Sequence, residues 1–223
     1  MTPAQADAEL ARLAPDGEEQ AALLASHRRQ LAAFPGSPRP GAFDGSALHR
    51  DGPGEHLTVT SFVLDRAGES AVLVLHRKAR MWLQPGGHVE ADDPSLAAAA
   101  LREAAEETGL GSVLRPALRG EPLDVQRHEL AEGFGRSCRA HLDVAFLFVA
   151  PRSAEPALSD ESDRVAWWDV DALPPDAAPD LPARLARARA LLRGGAQPGS
   201  RGAGSAPSST SVGRSRAVAK PSR

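Results

Sequence analysis

Tyrosine is missing from this 223-residue chain, cysteine occurs once and methionine twice. With Cys138 alone, no intrachain disulfide can form. That excludes a disulfide-stapled secreted scaffold and fits a reducing compartment. Aromatic residues make up 4% of the chain, so few side chains can stack on a nucleobase: Trp82, Trp167 and Phe134 are the candidates. Charge of one sign is also lacking. Twenty-six Lys and Arg face 29 Asp and Glu for a net charge of −3, which excludes partners gathered by a strong field, so no specific nucleic acid is expected. No apolar run approaches the ~20 residues needed to cross a bilayer, so no membrane partner is expected either. The start, MTPAQADAEL, has neither a basic n-region nor an apolar h-region, so no signal peptide is expected and a cytoplasmic location follows. No internal repeat is visible. What is present, 42% hydrophobic and 25% charged residues, describes a globular domain of ordinary size with extensions.

One stretch carries the chemistry: Pro85 to Leu110, PGGHVEADDPSLAAAALREAAEETGL. It reads as a glycine-rich loop followed by a helix. Asp93 is the expected N-cap and Pro94 the first helical residue, where a missing N–H costs nothing. Gly109 is the expected stop, since glycine best tolerates the left-handed C′ position. At about 100° per residue, Ala97, Leu101, Ala104, Ala105 and Thr108 share one stripe, and Glu103, Glu106 and Glu107 fall opposite. Their i, i+3, i+4 spacing makes the three carboxylates neighbours, and Arg102 can pair with Glu106 one turn on. The arrangement is locally unfavourable. Like charges one turn apart cost about 0.2–0.5 kcal/mol per pair, and acids in the last turns face the negative end of the helix dipole. A divalent cation removes the conflict, and clustered carboxylate oxygens are what Mg2+ or Mn2+ binds.

These residues resemble the Nudix box, whose pattern is G-x5-E-x7-R-E-U-x-E-E-x-G-U with U aliphatic. Gly87 matches the first Gly. Arg102, Glu103, Ala104, Glu106, Glu107, Gly109 and Leu110 match the second half, with Ala104 as a small aliphatic. Two departures stand out: Asp93 replaces the mid-box Glu, and eight residues rather than seven separate it from Arg102. In this family that Glu supports the loop more than it holds metal. The resemblance spans about Glu55 to Arg193. It implies a Nudix-type α/β/α sandwich around a mixed sheet; sequence pattern alone gives only mixed α/β. It also implies metal ligation by Glu103, Glu106 and Glu107 with the carbonyl of Gly86. Gly87 lets backbone approach a cation or phosphate with no Cβ in the way. His88, beside it, either touches substrate phosphate or plays a surface or supporting role.

Three regions follow along the chain. Residues 1–54 form a helical extension and linker. Asp16 and Glu19 resemble a capping box. Leu23, Leu24, His27, Leu31 and Phe34 keep helical spacing, with His27 read as structural, and the segment from Pro35 to Gly54 is rich in Pro and Gly. Residues 55–193 form the Nudix domain. HLTVTSFVLD alternates like a strand, and AVLVLHR is apolar enough for a strand buried on both faces. RAHLDVAFLFVA is a further strand with Leu142, Val144, Phe146 and Phe148 on one face and His141 and Asp143 on the other. That His-x-Asp pair either lines a substrate pocket or is a buried hydrogen-bonded pair. Val165 to Asp169 is another strand, whose Trp167 and Trp168 alternate across it, and Pro182 to Arg193 is a final helix. Residues 194–223 are Gly/Ser/Pro-rich and basic, with Arg201, Arg214, Arg216, Lys220 and Arg223, and read as a disordered tail.

The resemblance supplies the expected reaction: metal-dependent hydrolysis of a diphosphate bond in a nucleoside diphosphate derivative or related organic pyrophosphate. Glu103, Glu106 and Glu107 hold Mg2+, with Mn2+ able to substitute, and Arg102 orients the carboxylates. Glu129, Glu132, Glu161 and Asp163 are candidates for a further carboxylate outside the box. The partner is a small phosphorylated molecule, and a homodimer is a candidate assembly. A non-catalytic Nudix-fold nucleotide sensor is the alternative. An isoprenyl diphosphate isomerase would want a pocket cysteine, for which Cys138 in a Gly-flanked loop is a poor candidate.

Overall fold

The computed structural model describes residues 1–36, 45–130, 138–158 and 162–195. Glu132, Phe134, Glu161 and the tail from residue 196 lie outside the described residues.

Two long parallel strands run through the middle of the molecule. Strand β1 (Glu55–Asp65) and strand β7 (Ala140–Ala150) pair in register along their whole length, from Glu55 opposite Ala140 to Asp65 opposite Ala150. Near-continuous β-branched and aromatic sequence suits strands covered on both faces. Beyond β1 lie the antiparallel strands β2 (Ser70–His76) and β4 (Gly86–His88); β2 also pairs with β3 (Met81–Leu83) and β8 (Ser162–Asp169). Beyond β7 lie β5 (Arg115–Pro116) and β6 (Asp124–Glu129).

Side chains alternate across this mixed sheet, so each face carries its own core. On one face Leu57, Val59, Val63, Leu142, Val144, Phe146 and Phe148 pack against α1 (Pro3–Leu10), α2 (Gly17–Ala33) and α3 (Leu96–Thr108). On the other, Phe62, Leu64, Ala145 and Leu147 pack against Leu181, Leu185 and Ala188 of α4 (Leu181–Gly195). The architecture is therefore the α/β/α sandwich around a mixed sheet. Each fully buried Phe or Leu contributes about 1.5–3 kcal/mol of transfer free energy, so strand alternation fixes which face of the sheet each polar residue can reach.

Helix α1 was not anticipated. Its signal is the Thr2–Gln5 capping box with Pro3 at the first position. Helix α2 starts where expected, but Asp16 makes no side-chain cap bond there; it pairs with Arg187 of α4 instead. His27 is fully buried, with Nδ1 2.8 Å from Leu23 O and Nε2 3.0 Å from Gln126 O. Among the described residues, no helix is long and apolar enough to cross a membrane.

Candidate functional site

The box glycines are strand rather than open loop. Gly86–His88 pairs with Thr58–Thr60 of β1, and Pro85 O accepts a bond from Ser61 N at 2.8 Å. A Cβ on Gly86 would meet Val59 O at 2.4 Å, so only glycine allows this strand so close to β1. The strand leads the chain across the start of α3. That helix is capped by Ser95, whose Oγ accepts from Ala98 N at 3.0 Å, and not by Asp93. Two further N–H groups of the first turn, on Leu96 and Ala97, donate to the Glu9 carboxylate at 3.0 and 3.3 Å. Gly109 ends the helix in the left-handed conformation, with φ of 69°, as the sequence predicts.

Asp93 has another role. It is buried and receives Arg102 through Nε at 3.1 Å and Nη2 at 2.9 Å, and the N–H of Glu90 at 2.8 Å. Burial pushes its carboxyl pKa up, but the bonds from Arg102 and Glu90 outweigh this and hold it below the usual range. The remaining Arg102 donors reach His88 O at 2.9 Å, Glu103 at 3.0 Å and Glu106 at 3.1 Å. Its bond to Asp93 and the charges around it raise its pKa further, so it stays charged. One guanidinium thus fixes three carboxylates and the box strand together.

The buried face of α3 also differs from expectation. It comprises Leu96, Ala99, Ala100, Ala104, Glu107 and Thr108, with Ala97, Leu101 and Ala105 only partly covered. This is a rotation of about a quarter turn at 100° per residue, and it separates the three glutamates. Glu107 is turned inward, and its Oε2 accepts the Gly86 N–H at 2.9 Å. Glu103, with a side chain 15% exposed, lies against Gly87, where a Cβ would sit 2.5–2.6 Å from its carboxylate. Glu106 is the outward member at 59%. The carboxylates face the glycine strand because its N–H and its missing Cβ make room for charge that solvent would otherwise have to hold.

On the opposite face of the sheet, His88 and His141 come together at a ring-centroid distance of 5.1 Å. His56 of β1, which sequence reasoning missed, completes a trio at 5.2–5.3 Å from each. Burial, helped by the neighbouring imidazoles, lowers His88 and His141 to pKa values of about 4 and lowers His56 in the same direction. The three rings are therefore neutral at pH 7. The missing signal was parity: His56 lies directly opposite His141 and two residues before Thr58, the partner of His88, which only the strand register reveals.

Asp143, read as either a pocket-lining or a buried hydrogen-bonded residue, is fully buried. It accepts from Arg184 Nη2 at 2.8 Å and Thr60 Oγ1 at 2.9 Å. Burial pushes its pKa up, but the Arg184 charge more than compensates and it stays ionised. The strand alternation that brings His141 to the sheet face places Asp143 one step deeper, under α4. Trp82 is likewise a core residue, packed edge-on against Trp168 at 5.2 Å, and not a free stacking surface. Trp167 is half-buried and donates its indole N–H to Ala154 O at 2.8 Å. Of the carboxylates proposed outside the box, Glu129 pairs with Arg127 at 2.8 Å and Asp163 with Arg77 at 2.9 Å.

Solved structures similar to this chain include a NUDIX family hydrolase from Clostridium perfringens, 23% identical, covering 62% of this chain and 96% of that one at a TM-score of 0.48. A C. elegans Ap4A hydrolase in a binary complex is 19% identical, covering 61% and 97% at a TM-score of 0.49. The NUDIX domain of Shewanella oneidensis NrtR, complexed with ADP ribose, is 21% identical, covering 61% and 87% at a TM-score of 0.47. No curated protein matches the sequence. The NUDIX domain family matches residues 54–188, a span that starts with β1, includes the glycine strand and all of α3, and ends within α4. Over that span, and with the box carboxylates folded against their glycines, the chain belongs to the NUDIX family.

Proposed function

We propose that the protein hydrolyses a diphosphate bond in a nucleoside diphosphate derivative or a related organic pyrophosphate, with Mg2+ as cofactor and Mn2+ able to substitute. The observation that supports this best is the seating of Glu103 and Glu107 against Gly86 and Gly87, Glu107 bonded to the Gly86 N–H and Glu103 filling the space a Cβ would take. The donor set fits the cation. Glu103, Glu106 and Glu107 with the Gly86 carbonyl are all oxygen ligands, the choice of a hard divalent ion. When bound, such an ion neutralises diphosphate charge and makes water more acidic.

The protein's own parts follow. The Gly86 N–H holds Glu107 in one orientation. Arg102 orients Glu103 and Glu106 from the side. Gly87, with no Cβ, gives the Glu103 carboxylate its place against the strand. One carboxylate accepts the proton of the attacking water; the water oxygen bonds to one phosphorus, the bridging P–O bond breaks, and the second phosphate departs with the bridging oxygen. Asp93 pairs with Arg102 at 2.9 Å, in keeping with a loop-supporting role, while the altered spacing keeps the nucleotide sensor as the alternative reading. A reducing compartment such as the cytoplasm suits the free Cys138 thiol.

The test is a phosphate-release screen over nucleoside triphosphates, sugar nucleotides, dinucleotide cofactors and dinucleoside polyphosphates, with Mg2+, Mn2+ or EDTA. Glu107→Gln should fold normally yet lose more turnover than the roughly 10–100-fold that removing an outer-shell partner costs. Activity retained in that variant with unchanged metal dependence sinks the assignment. Tight binding of one compound with no release from any points to a sensor.

A further inference from the structure

The His56, His88 and His141 cluster is not used by the chemistry above. Its three rings come from three adjacent strands, β1, β4 and β7, and one nitrogen from each lies within 4.8 Å of the others. His56 Nδ1 is 3.4 Å from Pro53 O. A carbonyl can only accept, so Nδ1 carries the proton and Nε2 presents its lone pair. This is the pattern by which an outer carbonyl orients a ligating histidine. Cys138 Sγ lies 3.9 Å from both His56 ring nitrogens and is not one of the converging donors.

We propose that His56, His88 and His141 form a binding site for a borderline divalent transition metal of the zinc class, separate from the oxygen-lined box. The donor chemistry makes the distinction. Imidazole and thiolate select Zn2+ and its neighbours, whereas carboxylate and carbonyl select Mg2+. In a tetrahedral site with Zn–N of about 2.0–2.1 Å and Zn–S of about 2.3 Å, ligand atoms stand about 3.3–3.6 Å apart. From a mutual spacing within 4.8 Å the rings need only close by about an ångström, a side-chain adjustment open to the half-buried His88 and His141.

The position of the site gives it a role. Strand β4 is three residues long and carries both box glycines. A metal bridging His88 to β1 and β7 ties that strand to the centre of the sheet on the face away from α3. Two features oppose the proposal and shape its test. Imidazoles at this spacing also pack favourably as plain aromatic rings. Arg50 adds positive charge near His56 and His88, which would favour an anion there instead.

The inference is independent of the hydrolase reading and is tested without turnover. Chelator-stripped full-length protein is titrated with Zn2+ against a chromophoric chelator in excess Mg2+. One equivalent should bind to wild type and equally to the Glu103→Gln/Glu107→Gln double variant. Binding should weaken by more than about 100-fold in His141→Ala and in His88→Gln, with circular dichroism confirming that both fold. The Co2+-loaded protein should show d–d bands of a low-coordinate nitrogen site that His141→Ala removes and Cys138→Ser leaves unchanged. No Zn2+ uptake by wild type overturns the proposal. So does uptake lost in the glutamate variant but kept in the histidine variants. Inorganic pyrophosphate bound by the metal-free wild type and lost in His141→Ala would make the cluster an anion site and overturn it equally.

Discussion

Two arginines organise carboxylates in this molecule, and they do so to opposite ends. Arg184 on α4 is 4% exposed and holds Asp124 and Asp143, themselves 2% and 1% exposed. Its guanidinium also lies over the Phe62 ring, 5.1 Å from the centroid. Burial works against its charge, but the two aspartates overcome this and raise its pKa. Arg102 on α3 is 22% exposed, and its partners run outward from Asp93 at 7% through Glu103 at 15% to Glu106 at 59%. The first network is closed to solvent at its centre and clamps α4 to β6 and β7, although among the described residues Asp143 Oδ1 and Arg184 Nη1 have no hydrogen-bond partner. The second carries surplus negative charge and grades into solvent, so a cation can enter and share its oxygens. Residue types alone do not separate a clamp from a site; burial and a path to water do.

The largest effect that tests this contrast is on stability. Arg184→Met should cost about 3–5 kcal/mol, because it strands two buried carboxylates without their cation. Arg102→Met should also destabilise, because it strands the buried Asp93, but by less, since only one of its partners is that deeply buried and Glu106 at 59% exposure loses about 0–1 kcal/mol. Urea unfolding of the two variants measures the difference, and equal losses would break the comparison. Next come the glycines. Gly86→Ala drives a methyl into the Val59 carbonyl and the Thr60 backbone, an overpacking worth about 1–3 kcal/mol. Gly87→Ala meets only the Glu103 carboxylate, the movable end of a side chain. It should leave stability nearly unchanged and raise the Mg2+ concentration needed for half-maximal activity by about tenfold. If Gly87→Ala instead unfolds the protein with its Mg2+ requirement unaltered, the glycine serves folding and not the site.

A smaller effect links the N-terminal helices to the box. Glu9 accepts two N–H bonds at the start of α3, so Glu9→Ala should cost about 0.5–2 kcal/mol, the range for losing a cap. A hydrogen-exchange experiment localises it: the first turn of α3 should lose protection before α4 does. Equal loss in both helices would mean that Glu9 acts on the whole fold.

Much of this was legible from local pattern. Alternation in β1 and β7, the apolar run of β2 and the Gly109 stop all depend on neighbouring residues. So does the box itself, whose crowded carboxylates signal a ligand. What escaped depends on distant partners. Asp93 reads as an N-cap until Arg102, nine residues on, claims its carboxylate. Asp16 reads as a cap until Arg187 does the same. The buried stripe of α3 was misjudged because Glu107 counts as polar in any pattern, although the Gly86 N–H makes its burial tolerable. Asp143 could be read as a pocket residue or a buried pair, because nothing local announces Arg184, 41 positions away. His56 carried no signal until β1 and β7 were paired.

The last test asks whether the closed side stays closed to protons. His27 lies behind the Arg184 network, with Nε2 3.3 Å from Asp143 O. Burial is the main cause of its lowered pKa; carbonyl contacts at Leu23, Asp143 and Gln126 and the Asp143 charge oppose the shift without cancelling it. In the unfolded chain the ring takes up its proton near pH ~6.5. Between that value and the lower folded one, the unfolded state holds more protons, so stability rises with pH across the window and falls on acidification through it. Urea midpoints at about pH 7.5 and about pH 5.5 should therefore differ in wild type, and His27→Gln, which keeps an amide donor but cannot titrate, should reduce that difference. His88 and His141 add acid sensitivity of the same sign in both proteins, so only the change between the two slopes belongs to His27. An enlarged difference would mean that the ring is already charged in the folded protein, donating through both nitrogens to its carbonyls, and that the interior beside Asp143 tolerates a second cation.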